Sequence, residues 1–551
     1  MKRISILLLA AALVFTGCAA GETVPDPTQA SNALTVPVGT EPVVEHTYKS
    51  RFSTETLIEL SDSGIKTKAL SVYATNDIIY YEDKQTYESG NPYGEGEDTD
   101  KHTAEEAAAH TVVNITEPGA YRITGKLSAG QIRVDLGEDA YEDPDAVVEL
   151  ILDNADITCT VAPAILFLNV YECDGDWDKD TAKPEVDTVN AGANLILEGK
   201  NTVNGAYVAK IYKDKEGEKK LWKQDGAIYS YMSMNVSGSG TLELSAENEG
   251  IDTELHLTVN GGDITIRSGN DGINTNEDGV SVTTINGGNL RILAGRGAEG
   301  DGIDSNGYLV INGGNVFSAA HPASDAGLDS DLGSYIHGGT VVALGSSMDW
   351  AESDSGQVTM NLQYAAYRAA QDSIMVTTED GTQVFSYDPA GDQDARQYMG
   401  AIISCGDFEQ GKSYLVYTGG EQMMYTGTDV KRGPGGFGGG FGGERPDNAP
   451  PEGFNGERPE GFNGERPEGF NGEMPENFEK EMPEGWTPGE WGERPEGFED
   501  QRPARPEGEM PDGFGGGKGG NRFEQRSGEG NVVFYMQDTV NFFSGLTAVT
   551  E

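Results

Sequence analysis

Between residues 225 and 347, apolar and polar positions alternate in short runs. Asp263-Ile264-Thr265-Ile266-Arg267 and Asn289-Leu290-Arg291-Ile292-Leu293 set the pattern, which predicts half-buried strands. No apolar period of 3.6 runs through this region. Each run ends in a turn: Val259-Asn260-Gly261-Gly262, Ile285-Asn286-Gly287-Gly288, Ile311-Asn312-Gly313-Gly314 and Ile336-His337-Gly338-Gly339. These turns lie 26, 26 and 25 residues apart. A second motif recurs with them: Glu249-Gly250-Ile251-Asp252-Thr253, Asp271-Gly272-Ile273-Asn274-Thr275, Asp301-Gly302-Ile303-Asp304-Ser305 and Ala326-Gly327-Leu328-Asp329-Ser330. A period near 25 with two or three short strands fits one coil of a parallel β-helix, whereas a propeller blade wants about 40 residues or more. The fold class expected is all-β, a solenoid.

Stacking such coils places equivalent side chains about 4.8 Å apart. Ile251, Ile273, Ile303 and Leu328 then form an inward apolar ladder, and Asn260, Asn286 and Asn312 an amide ladder. Asp252, Asn274, Asp304 and Asp329 are expected to project outward in a file, with Glu249, Asp271 and Asp301 beside it. Two carboxylates at that spacing repel by roughly 3 kcal/mol at an effective dielectric near 20. A divalent cation would turn the repulsion into ligation, and oxygen-only ligands suit Ca²⁺ better than zinc or copper. Two readings stand here: calcium ligands, or plain turn residues favoured by Asp-Gly and Asn-Gly chemistry. The nine-residue Gly-Gly-x-Gly-x-Asp calcium repeat is absent.

Charge and composition narrow the partners. The 551-residue chain has a formal net charge of −53, which argues against nucleic acid and anionic membrane surfaces. Met1-Lys2-Arg3, the apolar run over residues 4–15 and Thr16-Gly17-Cys18 predict a lipoprotein signal peptide, 1–18, with lipidation at Cys18. An ordinary secretory peptide is the alternative. Residues 19–45 read as a tether, so the membrane is met through a lipid anchor only and the domain is extracytoplasmic, at the bacterial cell surface. Cys159, Cys173 and Cys405 leave two options open, a Cys159–Cys173 bridge or buried thiols.

The remaining stretches frame the repeats. Residues 46–110 lead into the solenoid, expected over 111–350, and strand patterns recur at 147–157, 164–170, 194–203 and 227–236. Insertions interrupt them at 171–190 and 206–224. The first sets Asp174, Asp176, Asp178, Asp180 and Glu185 at positions 1, 3, 5, 7 and 12 of an EF-like loop, with Lys179 where glycine is usual. It is either a second, weaker calcium site or a solvated acidic loop. Residues 351–431 are expected to form a C-terminal β cap. Residues 432–530 are Gly, Pro and Glu with Phe454, Phe462, Phe470, Phe478 and Trp486 every eight residues, a composition that predicts disorder. Those aromatics are spacers or stickers for a sugar. Residues 531–551 read as strand returning to the cap.

Gly119-Ala120-Tyr121-Arg122-Ile123-Thr124-Gly125-Lys126-Leu127, Gln131-Ile132-Arg133-Val134-Asp135, Leu152-Asp153-Asn154-Ala155-Asp156-Ile157, Ala162-Pro163-Ala164-Ile165 and Asp225-Gly226-Ala227-Ile228 carry a resemblance. In this order, with the Asp-Gly-Ile coils, they resemble a bacterial carbohydrate-binding domain family of cellulolytic clostridia, over roughly residues 110 to 345. The resemblance implies a right-handed parallel β-helix similar to polysaccharide lyase family 9, bound calcium, and binding of cellulose-like or pectic (polygalacturonate) polysaccharide. The acidic insertion and the Pro-Glu-Gly-Phe segment depart from it. Three functions follow: non-catalytic polysaccharide binding, a calcium-dependent pectate-lyase-like enzyme, or a structural adhesin without sugar affinity. Family 9 lyases use a lysine base, and residues 224–347 contain none. Binding without catalysis is therefore expected. Arg296 is the candidate base if a lyase exists, with an ion pair to Glu299 or Asp301 as its other reading.

Overall fold

In the computed structural model, residues 48–82, 98–175, 178–212, 221–428 and 530–550 are described. Cys18, the tether, Asp176 and the Pro-Glu-Gly-Phe segment lie outside them. The described chain is nearly all β, with Ala104–Ala108 its one α-helix among these residues.

Each repeat contributes three short strands, and the strands of successive repeats pair parallel and in register. One ladder runs through Thr111–Ile115, Gly130–Asp135, Ile165–Asn169, Gly226–Ser230, Glu249–Thr253, Ile273–Thr275, Ile303–Ser305 and Leu328–Ser330. A second passes through Met234–Gly238, Leu257–Val259, Val282–Ile285, Tyr308–Ile311 and Gly333–Ile336. A third joins Thr241–Ala246, Asp263–Arg267, Asn289–Leu293, Asn315–Ala319 and Thr340–Gly345.

The Asn-Gly-Gly turns separate the second ladder from the third. Gly262, Gly288, Gly314 and Gly339 have φ of 106°, 92°, 83° and 85°, a region that L side chains rarely adopt. A Cβ on Gly288 would also meet the Gly262 carbonyl oxygen at 2.8 Å. Backbone of one repeat thus lies on backbone of the next, and only glycine leaves room for it.

Ile251, Ile273, Ile303 and Leu328 pair in register and are fully buried in one continuous core. Burying each contributes about 1.5–3 kcal/mol. Across the turns, Asn312 donates to Asn286 and Asn286 to Asn260, both at 2.9 Å. The amide ladder expected from the spacing is present.

The C-terminal strands cover the last repeat and also the flank of the third ladder. Thr340–Gly345 pairs antiparallel with Tyr398–Ser404. Leu293, Phe317 and Leu344, which face outward from the third ladder, share a second core with Tyr387, Phe385 and Ile403. The rings of Phe317 and Tyr387 stack at 5.2 Å. Val540–Ala548 pairs parallel with Thr359–Arg368, so the chain after the long Gly/Pro/Glu-rich segment pairs with these strands.

The two insertions take different forms. Val208–Tyr212 and Leu221–Gln224 make an antiparallel hairpin. Residues 178–190 lie against the second ladder, where the Thr188 hydroxyl donates to Asn235 Oδ1 at 2.8 Å and accepts from the Thr258 hydroxyl at 2.6 Å. Cys159, Cys173 and Cys405 are free thiols, so of the two options the unbridged one holds.

Candidate metal centre

The first ladder carries the acidic file. Asp252, Asn274, Asp304 and Asp329 pair in register on adjacent strands. Beside them, the Gly250 N–H donates to the Asp271 carbonyl and the Gly272 N–H to that of Asp301, both at 3.0 Å, which sets Glu249, Asp271 and Asp301 on neighbouring rungs.

The file was expected to face outward. It alternates with the core ladder of Ile251, Ile273, Ile303 and Leu328, but it is covered rather than exposed: Asp252 is wholly buried, Glu249, Asp271 and Asn274 are buried, and Asp304 and Asp329 are half-buried. Lys223, at the end of the hairpin, reaches the file from the insertion. Its ammonium lies 2.9 Å from Asp225 and donates to Asn276 at 2.8 Å. Tyr229, one rung above Asp252, donates its hydroxyl to Glu254. Lys223 lies one position before the lysine-free stretch 224–347.

Among the described residues, Asp225, Glu249 and Asp252 form the one group of three or more acids, histidines or cysteines whose ligand atoms all lie within 4.8 Å of one another. Glu249 Oε2, Asp252 Oδ2 and Asn274 Oδ1 are buried without a hydrogen-bond partner. A buried polar atom left unpaired costs about 1–3 kcal/mol, and more when charged. Burial, and then Asp225, push the Glu249 carboxyl up to about 7. Burial, and then Glu249, hold that of Asp252 well above its ordinary value. For Lys223, burial works downward, but Asp225, Asp252, Glu254 and Glu249 outweigh it and keep the ammonium above its ordinary range.

This donor set is all oxygen, carboxylate-rich and short of hydrogen-bond partners. It fits a hard divalent cation such as Ca²⁺, for which Asp225, Glu249, Asp252 and the Asn274 carbonyl oxygen would be the ligands. Asp225 was missed in the sequence. Its Asp225-Gly226-Ala227-Ile228 is a member of the Asp-Gly-Ile series with one residue inserted, and that was the available signal.

Further along the file, turn chemistry and charge overlap. Asp271 Oδ1 accepts the Asp301 N–H at 2.7 Å, and Asp301 Oδ1 accepts that of Ala326 at 2.6 Å. Each carboxylate thus caps the start of the next rung. Both are nevertheless pushed up, by burial first and then by Asp304 for Asp271 and Asp329 for Asp301.

The EF-like loop is not gathered in this way. Asp178, Asp180 and Glu185 are exposed, and Asp178 Oδ1 accepts the Asp180 N–H at 3.0 Å. Asp174 instead faces His256, 3.6 Å away. Arg296 is exposed, with Arg396 and Asp394 as electrostatic neighbours. Among the described residues no ion pair joins it to Glu299 or Asp301.

Residues 109–382, which enclose the whole acidic file, match the family described as carbohydrate-binding domain-containing protein. A curated relative from Acetivibrio thermocellus, with the same description, is 29% identical over 176 residues, 31% of this chain and 51% of its own. The aligned stretch thus spans about half the length of that relative. A solved structure, the polysaccharide lyase-like protein from C. thermocellum as a gadolinium derivative, aligns over 54% of this chain and 94% of its own. Its identity is 20% and its TM-score 0.32.

Proposed function

We propose that this chain is a lipid-anchored, extracytoplasmic protein that binds a plant-type polysaccharide, cellulose-like or pectic, without cleaving it. The binding domain in this reading is a right-handed parallel β-helix stabilised by Ca²⁺. One observation carries the sugar-binding reading: the carbohydrate-binding family match encloses the in-register repeats, acids included. For calcium, the support is the trio Asp225, Glu249 and Asp252 with their unpartnered oxygens.

A second reading, a uronate lyase, draws on Lys223 beside these acids. A general base must lose its proton near the working pH. Lys223 is held above its ordinary range by four carboxylates, so it keeps its proton. That favours binding over elimination. Arg296 is a poorer base still, since a guanidinium does not deprotonate in proteins.

The test is a glycan array read with and without chelator, alongside absorbance of unsaturated products from polygalacturonate. Binding to plant-type glycans with no product is the expected result. Product formation would replace this reading with the lyase, and absence of any glycan binding would leave the adhesin.

A further inference from the structure

A groove of about 810 Å³ lies on the second ladder, whereas the acids belong to the first. Its floor is a register column, Asn235, Thr258, Thr284 and Val310, flanked by the amide ladder Asn260, Asn286 and Asn312. Segment 184–191 forms one wall, pinned to the floor by Thr188. His337 stands at one end, stacked on Tyr335 at 6.2 Å with an interplanar angle of 22°.

We propose that this groove holds a single extended chain of uncharged sugars, lying along the stack of repeats. The inference rests on the polysaccharide reading above and assigns it a place. The chemistry of the amides is the first reason. An asparagine amide offers two N–H groups and two lone pairs. Each ladder bond uses one N–H of one amide and one lone pair of the next. Every rung therefore keeps a donor and an acceptor to offer, the pairing that a sugar hydroxyl needs.

The repeat is the second reason. From Asn260 to His337 four rungs span roughly 14 Å, at about 4.8 Å each. That step is close to the length of one sugar in an extended chain, so successive rungs meet successive sugars. The Tyr335–His337 pair ends the row with a flat ring face suited to the C–H side of a pyranose. His337 Nδ1 accepts the Gly356 N–H at 2.9 Å, which places the proton of the neutral ring on Nε2 as a further donor.

Charge selects the neutral chain over a uronate. The column from Thr258 to Val310 and the three amides carry no charge, in a chain whose formal net charge is −53. Charged groups line only its margins: Glu185 and Asp187 on the wall, and Glu149 with Lys49 and Arg51 beyond the Asn235 end, three carboxylates against two cations that offer a polyanion no net attraction. A neutral chain needs no such attraction and no cation to bridge it.

The experiment is calorimetric titration of the full-chain protein with neutral hexamers of β-1,4-linked glucose, mannose and xylose, and with hexagalacturonate, each with Ca²⁺ and with chelator. We expect at least one neutral hexamer to bind equally in both buffers. Asn312 is exposed, so Asn312→Trp should fill the groove without unfolding the protein and weaken binding at least about tenfold. Asn286→Ala removes one amide and should weaken it about fivefold, the scale of one hydrogen bond. Unchanged melting curves for both variants verify the fold. If both variants bind like the parent, or if the parent binds the uronate alone, the groove assignment is overturned while polysaccharide binding stands. If the parent binds no hexamer of either kind, both fall.

Discussion

The Lys223 ammonium sits 2.9 Å from the Asp225 carboxylate, brought there by a hairpin inserted between two repeats. It is the positive charge that Asp225, Asp252, Glu254 and Glu249 all act on. A tethered cation beside an acidic trio limits the repulsion among those acids, and it would compete with a free cation for the same oxygens.

Lys223→Met should therefore have opposite effects on two measurements. In chelator it leaves buried carboxylates uncompensated, which costs about 3–5 kcal/mol. In a Ca²⁺ titration it should raise affinity about tenfold or more, because the competing charge is gone. Loss of calcium affinity in the variant would show that Lys223 organises the site rather than competes for it.

Stability in chelator should depend on pH in a defined window. Glu249 and Glu277 ordinarily ionise near 4.5, and burial first, with neighbouring acids, pushes both to about 7. The unfolded chain thus releases these protons near 4.5 while the folded chain keeps them until about 7. Folded protein binds more protons across that interval, so the stability these two groups contribute is full below 4.5 and is lost as pH rises through 7. Denaturation midpoints measured from pH 4 to 8 should show this slope, shallower in Glu277→Gln. A midpoint that rises over the interval contradicts the burial of these acids.

Ile273→Ala should cost about 2–5 kcal/mol, the range for truncating a fully buried aliphatic side chain. Its neighbours Ile251 and Ile303 belong to backbones fixed by the ladder, so the void cannot collapse easily. Denaturant unfolding measures it, and a cost below about 1 kcal/mol would contradict a continuous core along the repeats.

Gly288→Ala should be destabilising for a different reason. The new Cβ would sit 2.8 Å from the Gly262 carbonyl oxygen at a φ of 92°, so contact and backbone strain act together. A melting temperature equal to that of the parent would show that the turns are not packed backbone on backbone.

The rungs were legible because their side chains repeat. Matching Ile251 to Ile273 and Ile303, or Asn260 to Asn286 and Asn312, needs only a fixed spacing, and the structure pairs each of them in register or by hydrogen bond. Burial of the acids was not legible, because insertions break the period and carry no pattern of their own. Lys223 lies in the hairpin at 208–224, and nothing local shows that it folds back over Asp225. Asp225 itself was hidden by the extra residue in its motif. The same limit applied to the flank packing of Phe317 on Tyr387, contacts 70 residues apart in the chain with no shared repeat.

The most direct measurement is thermal unfolding and calorimetric Ca²⁺ titration of the full chain beside Asp252→Asn. The parent is expected to melt lower in chelator, recover fully with Ca²⁺ and show saturable binding, while Asp252→Asn loses most of both responses. A parent melting curve that chelator and Ca²⁺ leave unmoved, with no heat of binding, would contradict a cation held between Asp225, Glu249 and Asp252.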